Sequence, residues 1–197
     1  MSTSSRNTIF VEDALILSHE QFEGEQFILR VRAPECATHA RPGSFAHIRC
    51  SASLPMRRPL SIMRADPQQG TVEFLYKAVG TGTRALSERR PGETLSLIGP
   101  IGSPFRPDPG RPRALLLGGG VGIPPMVFLA DALRDTDATP LAILGSEIPF
   151  PFELQSSAIE TAWAGDGIVS TMPLLENWGI PTRLTSLAGY EGCFRGY

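Results

Sequence analysis

The sequence predicts an all-β first half followed by an α/β second half: a small antiparallel barrel or sandwich of six strands, then a parallel strand–turn–helix–strand unit. Short strand-like runs succeed one another through the first half, parted by turn-forming pairs. A Pro-rich stretch at 104–112 breaks the pattern. Beyond it, a continuous apolar run leads into a Gly-rich turn and then into helical periodicity.

The strand candidates are Thr8–Leu17, Gln26–Ala33, Ser44–Cys50, Arg58–Met63, Thr71–Val79 and Thr94–Ile98. Arg41-Pro42-Gly43, Gln69-Gly70 and Pro91-Gly92 supply the turn chemistry between them. A helix over Thr83–Arg90, with Leu86 as its buried residue, interrupts the series, and Pro91-Gly92 would end it. Pro104, Pro107, Pro109, Gly110 and Pro112 mark a linker, and the domain boundary is placed there. Ala114–Leu117 reads as a parallel strand buried on both faces. Pro125–Arg134 carries Met126, Leu129, Ala130 and Leu133 on one helical face, and Pro140–Leu144 is a second buried strand. Leu154–Trp163 reads as a helix, with short strands at Ile168–Met172 and Pro181–Leu187. Nothing in Gly192–Tyr197 reads as an element that closes the sheet, so the α/β unit is expected to be C-terminally truncated.

Composition narrows the function. Hydrophobic residues make up 42% of the 197 and charged residues 19%, as in a globular protein with a core. The net charge of −2 provides no basic field for nucleic acid. Met1–Arg6 is polar, unlike a signal peptide, and no run approaches the ~18 apolar residues of a membrane span. A cytoplasmic location is expected. Cys36, Cys50 and Cys193 are too few and too widely spaced for a local metal motif, and read as reduced thiols. His19, His39 and His47 are scattered and read as structural or surface residues.

Three segments carry chemistry. Arg58-Pro59-Leu60-Ser61-Ile62 sets a guanidinium in an otherwise apolar strand, which suits either an exposed Arg on an edge strand or a bound anion. Leu75-Tyr76-Lys77 runs into Gly80-Thr81-Gly82-Thr83, a Gly turn at a helix start that suits either a phosphate or a plain Thr cap. Gly118-Gly119-Gly120-Val121-Gly122-Ile123-Pro124-Pro125 lies between a strand and a helix. It could cradle a phosphate or be only a tight turn, and Pro125 stands where a dinucleotide fingerprint would have its third Gly. Pro124 and Pro125 suit a first helical turn.

In this order the segments resemble the ferredoxin-reductase-like flavoenzymes, most closely the electron-transfer subunit of NAD-dependent dihydroorotate dehydrogenases. Arg58-Pro59-Leu60-Ser61 resembles that family's Arg-Pro-x-Ser flavin motif, Leu75-Tyr76-Lys77 its second flavin-contact strand, and Gly82-Thr83 its pyrophosphate turn. Gly119, Gly120, Val121, Gly122, Ile123, Pro124 and Pro125 resemble its nicotinamide-nucleotide turn. Pro42-Gly43-Ser44-Phe45 and Ile98-Gly99-Pro100-Ile101-Gly102 are similar to further barrel segments.

The resemblance implies a six-stranded FAD-binding barrel over residues 1–106 and an incomplete NAD-binding α/β domain over 113–197. It implies an oxidoreductase in which NADH reduces FAD, with electrons passed to a carrier or partner subunit. Arg58 would meet the flavin diphosphate and Ser61 the flavin N5 edge; Tyr76 would either lie against the cofactor or be an ordinary barrel residue, and Lys77 would be either solvated or on phosphate. Gly145-Ser146-Glu147 favours NADH over NADPH through its carboxylate. Thr185–Gly192 lacks the acidic turn of relatives, and a [2Fe-2S] cluster is expected only in a longer form. The alternatives are a reductase subunit for a hydrogenase, sulfite reductase or oxygenase, and a noncatalytic FAD-binding module.

Overall fold

The structure, a computed structural model, describes residues 8–196; the polar stretch Met1–Arg6 lies outside the described residues, as does Tyr197. Six strands close an antiparallel barrel: β1 (Phe10–Phe22), β2 (Gln26–Arg32), β3 (Phe45–Arg49), β4 (Arg58–Asp66), β5 (Thr71–Lys77) and β6 (Thr94–Ile101), in the order β1-β2-β5-β4-β3-β6. Alternation, shifted at register breaks along β1, β3 and β4, gives the barrel its inner face. Val72, Phe74 and Tyr76 of β5 point inward with Leu29, Val31, Leu60 and Ile62, whereas Met63 and Leu75 face outward into a second core. Ile62 is fully buried in a packed interior, so Ile62→Val is expected to cost about 0.5–1.5 kcal/mol in a denaturant titration.

A helix that the strand pattern conceals, α1 (Pro34–His39), plugs one end of the barrel. Its first N–H groups are satisfied from a distance: Glu35 N and Cys36 N donate to the Glu12 carboxylate at 3.0 and 2.8 Å. The helix expected over Thr83–Arg90 is α2 (Thr81–Ser87), which begins two residues early and stops before Pro91.

The second unit is a four-stranded parallel sheet in the order β12-β11-β8-β7, formed by β7 (Arg113–Gly119), β8 (Thr139–Ser146), β11 (Thr182–Ser186) and β12 (Phe194–Arg195). Helix α3 (Ile123–Leu133) packs on one face, and β9 (Gln155–Ser156), β10 (Ser170–Thr171) and α4 (Pro173–Asn177) complete the unit. Three expectations need correction. Strand β7 is not buried on both faces: it is an edge strand, and Leu115 and Leu117 are 57% and 61% exposed on the side away from α3. Phe194–Arg195 does add a short strand to the sheet. Leu154–Trp163 is not helical. Gln155–Ser156 pair instead with β10, Ser157 N donates to the Val169 carbonyl, Ala158 N donates to Glu176, and the Arg183 guanidinium donates to the Ile159 carbonyl.

The barrel and the sheet are docked against each other. Gln26 Nε2, on a buried side chain, donates to the Pro149 carbonyl at 2.6 Å. Gly24 takes a φ of +73°, and a Cβ there would meet Ile148 Cδ1 at 2.8 Å. A cavity of about 150 Å³ lined by Ile28, Met63, Leu75, Ile123, Phe152 and Met172 lies in this junction. Among the described residues, no helix is long and apolar enough to cross a membrane.

Candidate functional site

Strands β4 and β5 part at the junction. Their pairing runs from Asp66–Thr71 to Ile62–Phe74. Beyond it, Arg58–Ser61 pair only with β3, and Leu75–Lys77 only with β2. The facing edges of both strands therefore leave main-chain groups open along a slot in the barrel wall.

Arg58 stands at one end of this slot, half-buried. Its Nη1 reaches only the Met56 and Arg57 carbonyls, at 3.5 and 3.3 Å, and it forms no ion pair with any described carboxylate. The adjacent Arg57, by contrast, is consumed structurally, donating to Ser96 O and Ser96 Oγ at 2.7 and 2.9 Å. The Arg58 side chain lies directly over Gly82 in α2. A Cβ on Gly82 would collide with Arg58 Nε and come within 3.0 Å of Cγ and Cζ. A guanidinium is thus held at the first turn of a helix, where main-chain N–H groups already carry partial positive charge. Burial pushes the nearby Cys50 thiol up, and the Arg58 charge partly opposes this. The combination is an electropositive patch with spare donors, complementary in charge to an anion.

The remaining slot residues sort by face. Ser61 projects outward like Met63, and its hydroxyl makes no hydrogen bond to a described side chain. Pro59 is exposed and Leu60 buried in the barrel. Leu75 packs on the junction, and Lys77 is half-buried without a described ion pair. Thr83 Oγ1 accepts from Val79 N and Gly80 N, both at 3.1 Å, so its hydroxyl shapes the turn. A Cβ on Gly80 would meet nothing within 4 Å, leaving open space above the turn.

Tyr76 takes the barrel position rather than the cofactor contact. Its ring does not line the slot: it is 2% exposed inside the barrel, stacked on Phe27, with its hydroxyl 2.9 Å from His19 Nε2. What Tyr76 offers the slot is its backbone. His19, expected as a structural or surface residue, is structural: its ring nitrogens meet the Arg89 carbonyl and the Tyr76 hydroxyl.

The second Gly segment packs against β5. Gly118 and Gly119 finish β7, a 3-10 turn spans Gly120–Gly122, and α3 begins at Ile123, two residues before the expected Pro125. Pro124 and Pro125 occupy its first turn, where no N–H is needed. Gly118 is there for packing, since a Cβ would meet Gly122 O at 2.9 Å and Met126 Cγ at 3.0 Å. Gly120 has a φ of +51°, and neither it nor Gly122 would bring a Cβ within 4 Å of any atom. Val121 is exposed, and Ile123 and Pro124 are buried. The turn sits at the carboxyl end of the parallel sheet, where α/β sheets bind ligands, and it packs against β5. Glu147, just past β8, is exposed at the same sheet end.

The architecture matches solved structures across nearly the whole chain. An NADH-dependent reduced ferredoxin-NADP oxidoreductase superposes with a TM-score of 0.72 at 24% identity, covering 93% of this chain and 59% of that one. The ferredoxin reductase in carbazole 1,9a-dioxygenase gives 0.69 at 22%, covering 95% and 54%. The fold is ferredoxin-reductase-like. In sequence, this ferredoxin-reductase-like chain is 38% identical over 109 residues to the dihydroorotate dehydrogenase B (NAD(+)) electron transfer subunit of Bacillus caldolyticus, spanning 53% of this chain and 42% of that protein. It is 33% identical over 138 residues to the subunit of the same name from Geobacillus thermodenitrificans, spanning 68% and 54%. The matched portion thus spans about half the length of these relatives. No family model matches the chain.

Among the described residues, no three His, Cys, Asp or Glu side chains gather as metal ligands. The three thiols are free and buried, and burial pushes that of Cys36 up to about 12.

Proposed function

We propose that this chain is the flavin- and nicotinamide-binding part of an electron-transfer reductase, with NADH as donor and a partner oxidoreductase subunit or electron carrier as acceptor. The observation that carries this reading is the Arg58 guanidinium, held over Gly82 beside an open strand edge and lacking a carboxylate partner. A dinucleotide diphosphate matches it in charge and in bidentate geometry. FAD, when bound, supplies the hydride-accepting and electron-releasing chemistry.

The protein's part is binding and orientation. Residues 1–106 supply the flavin cradle: Arg58 and the Gly82-Thr83 turn for the diphosphate, and Pro59, Leu60, Ser61, Leu75, Tyr76 and Lys77 through the slot. Ser61 presents a free hydroxyl on the outer face. Residues 113–197 supply the nicotinamide-nucleotide turn, with Gly119, Gly120, Val121, Gly122, Ile123 and Pro124 bringing main-chain N–H groups to a phosphate. Glu147 suits a ribose 2′-hydroxyl, which favours NADH over NADPH. The shared name of the relatives at 33–38% identity favours a dihydroorotate dehydrogenase partner over the oxygenase of a structural neighbour at 22%. An iron-sulfur cluster would belong to a longer form, and a cytoplasmic setting suits the reduced thiols.

The test is spectral. Purified protein should be yellow or become so with FAD, and NADH should bleach it under anaerobic conditions. A colourless protein that takes up no FAD would overturn the reading, and a yellow protein inert to NADH would reduce it to a flavin-binding module.

A further inference from the structure

His19 occupies a position whose geometry extends beyond general packing. It lies on β1, after a bulge between Ile16 and Ser18. The register pairs Ile16 with Val31 and His19 with Leu29, both inward residues, so the bulge turns the imidazole toward the barrel interior. There it makes two hydrogen bonds. Nδ1 lies 2.8 Å from the Arg89 carbonyl, and Nε2 lies 2.9 Å from the Tyr76 hydroxyl.

A carbonyl only accepts, so Nδ1 carries the proton and donates. In the neutral ring Nε2 then accepts, and the Tyr76 hydroxyl donates to it. Burial pushes the Tyr76 phenol pKa up, which keeps that donor in place. The imidazole also contacts the Phe27 ring, which stacks on Tyr76.

The two partners lie on either side of the cofactor turn. Tyr76 sits near the end of β5, just before it, and Arg89 follows α2, just after it. Between them, the Val79–Thr83 turn is held mainly by its own bonds to Thr83 Oγ1 and Gly80 O, with Val79 and Gly80 exposed. We propose that His19 is a positioning residue for this turn: a single imidazole pins both ends of the segment that carries Gly80–Thr83, and so fixes Gly82 beneath Arg58. The proposal rests on the flavin reading for its consequence, but not for its geometry.

His19→Phe keeps an aromatic ring against Phe27 and Tyr76 while removing both hydrogen bonds. In the FAD-loaded protein it should speed flavin dissociation by about tenfold. In the FAD-free protein it should speed amide hydrogen exchange at Val79–Thr83 and leave exchange in β7, β8 and β11 unchanged. Tyr76→Phe, which removes one bond and little volume, should produce the same pattern with a smaller change. His19→Gln, whose amide can serve one partner, should fall between wild type and His19→Phe.

Wild-type flavin release together with wild-type exchange at Val79–Thr83 in His19→Phe and Tyr76→Phe would overturn the proposal. So would a loss of protection spread evenly over the barrel, which would assign His19 to general stability. If wild-type protein takes up no FAD, the flavin reading fails, while selective exchange at Val79–Thr83 in the FAD-free protein still decides whether His19 pins the turn.

Discussion

Replacing Arg58 with Ala is expected to weaken FAD binding by about 1.5–3 kcal/mol, roughly ten- to a hundred-and-fifty-fold in Kd, the range for a hydrogen bond to a charged group. Fluorescence titration of the apoprotein would measure it. The expectation rests on what Arg58 does not do. Its weak contacts to the Met56 and Arg57 carbonyls leave several donors free, and no described carboxylate neutralises it. Its removal should therefore disturb the fold little. Arg57 is the matched control, since it carries the same charge one residue away but spends it on Ser96 and the β6 backbone. Arg57→Ala should lower the unfolding midpoint and leave flavin affinity of the folded protein near wild type. Unchanged flavin retention in Arg58→Ala would remove the anion role.

Why Arg58 was legible and His19 was not follows from how each is placed. Arg58 stands out because a charge interrupts an apolar strand, and its order relative to the two Gly turns survives in the linear sequence. The barrel strands were legible for a related reason: their alternation is local, and Gly43, Gly70 and Gly92 mark turns through backbone conformations with φ near +93°, +64° and +90°. His19 depends on a bulge, and one extra residue in β1 reverses which side chains face inward. Alternation read from Ala14 and Ile16 cannot reveal that shift. Tyr76 is the opposite case. Its spacing from Val72 and Phe74 places all three on one face, so period-2 reasoning keeps an ordinary barrel position open beside the cofactor contact that the motif resemblance implies. The short helix α1 stayed hidden because its cap comes from Glu12, on a different strand. Likewise, the segment over 154–163 is held by pairing with Ser170–Thr171 and by bonds to Glu176 and the buried Arg183, far along the chain. Long-range satisfaction of main-chain groups leaves no local periodicity to read.

Gly120→Val is expected to leave FAD bound and to slow its reduction by NADH by about a hundredfold or more, the scale of losing charged hydrogen bonds to a phosphate. Stopped-flow absorbance at the flavin band would measure it. Two effects act together in this variant and can be separated. At a φ of +51°, Gly120 sits in the left-handed region, where a β-branched residue is strained by its own carbonyl. A Cβ there would meet no protein atom within 4 Å, so the new side chain would stand in the open space above the turn that the proposed nucleotide phosphate would need. Gly120→Asn isolates the second effect, because Asn adopts the left-handed conformation with little strain but still fills the space. If obstruction dominates, Asn should impair reduction nearly as much as Val while preserving the unfolding midpoint. If strain dominates, Asn should reduce normally and Val should lower the midpoint. Gly118 offers no such separation, since its Cβ would press on Gly122 O and Met126 and disturb the β7–α3 packing itself. Normal reduction kinetics in both Gly120 variants would remove this turn as the docking site, and would leave the slot between β4 and β5 as a flavin site without a nicotinamide partner.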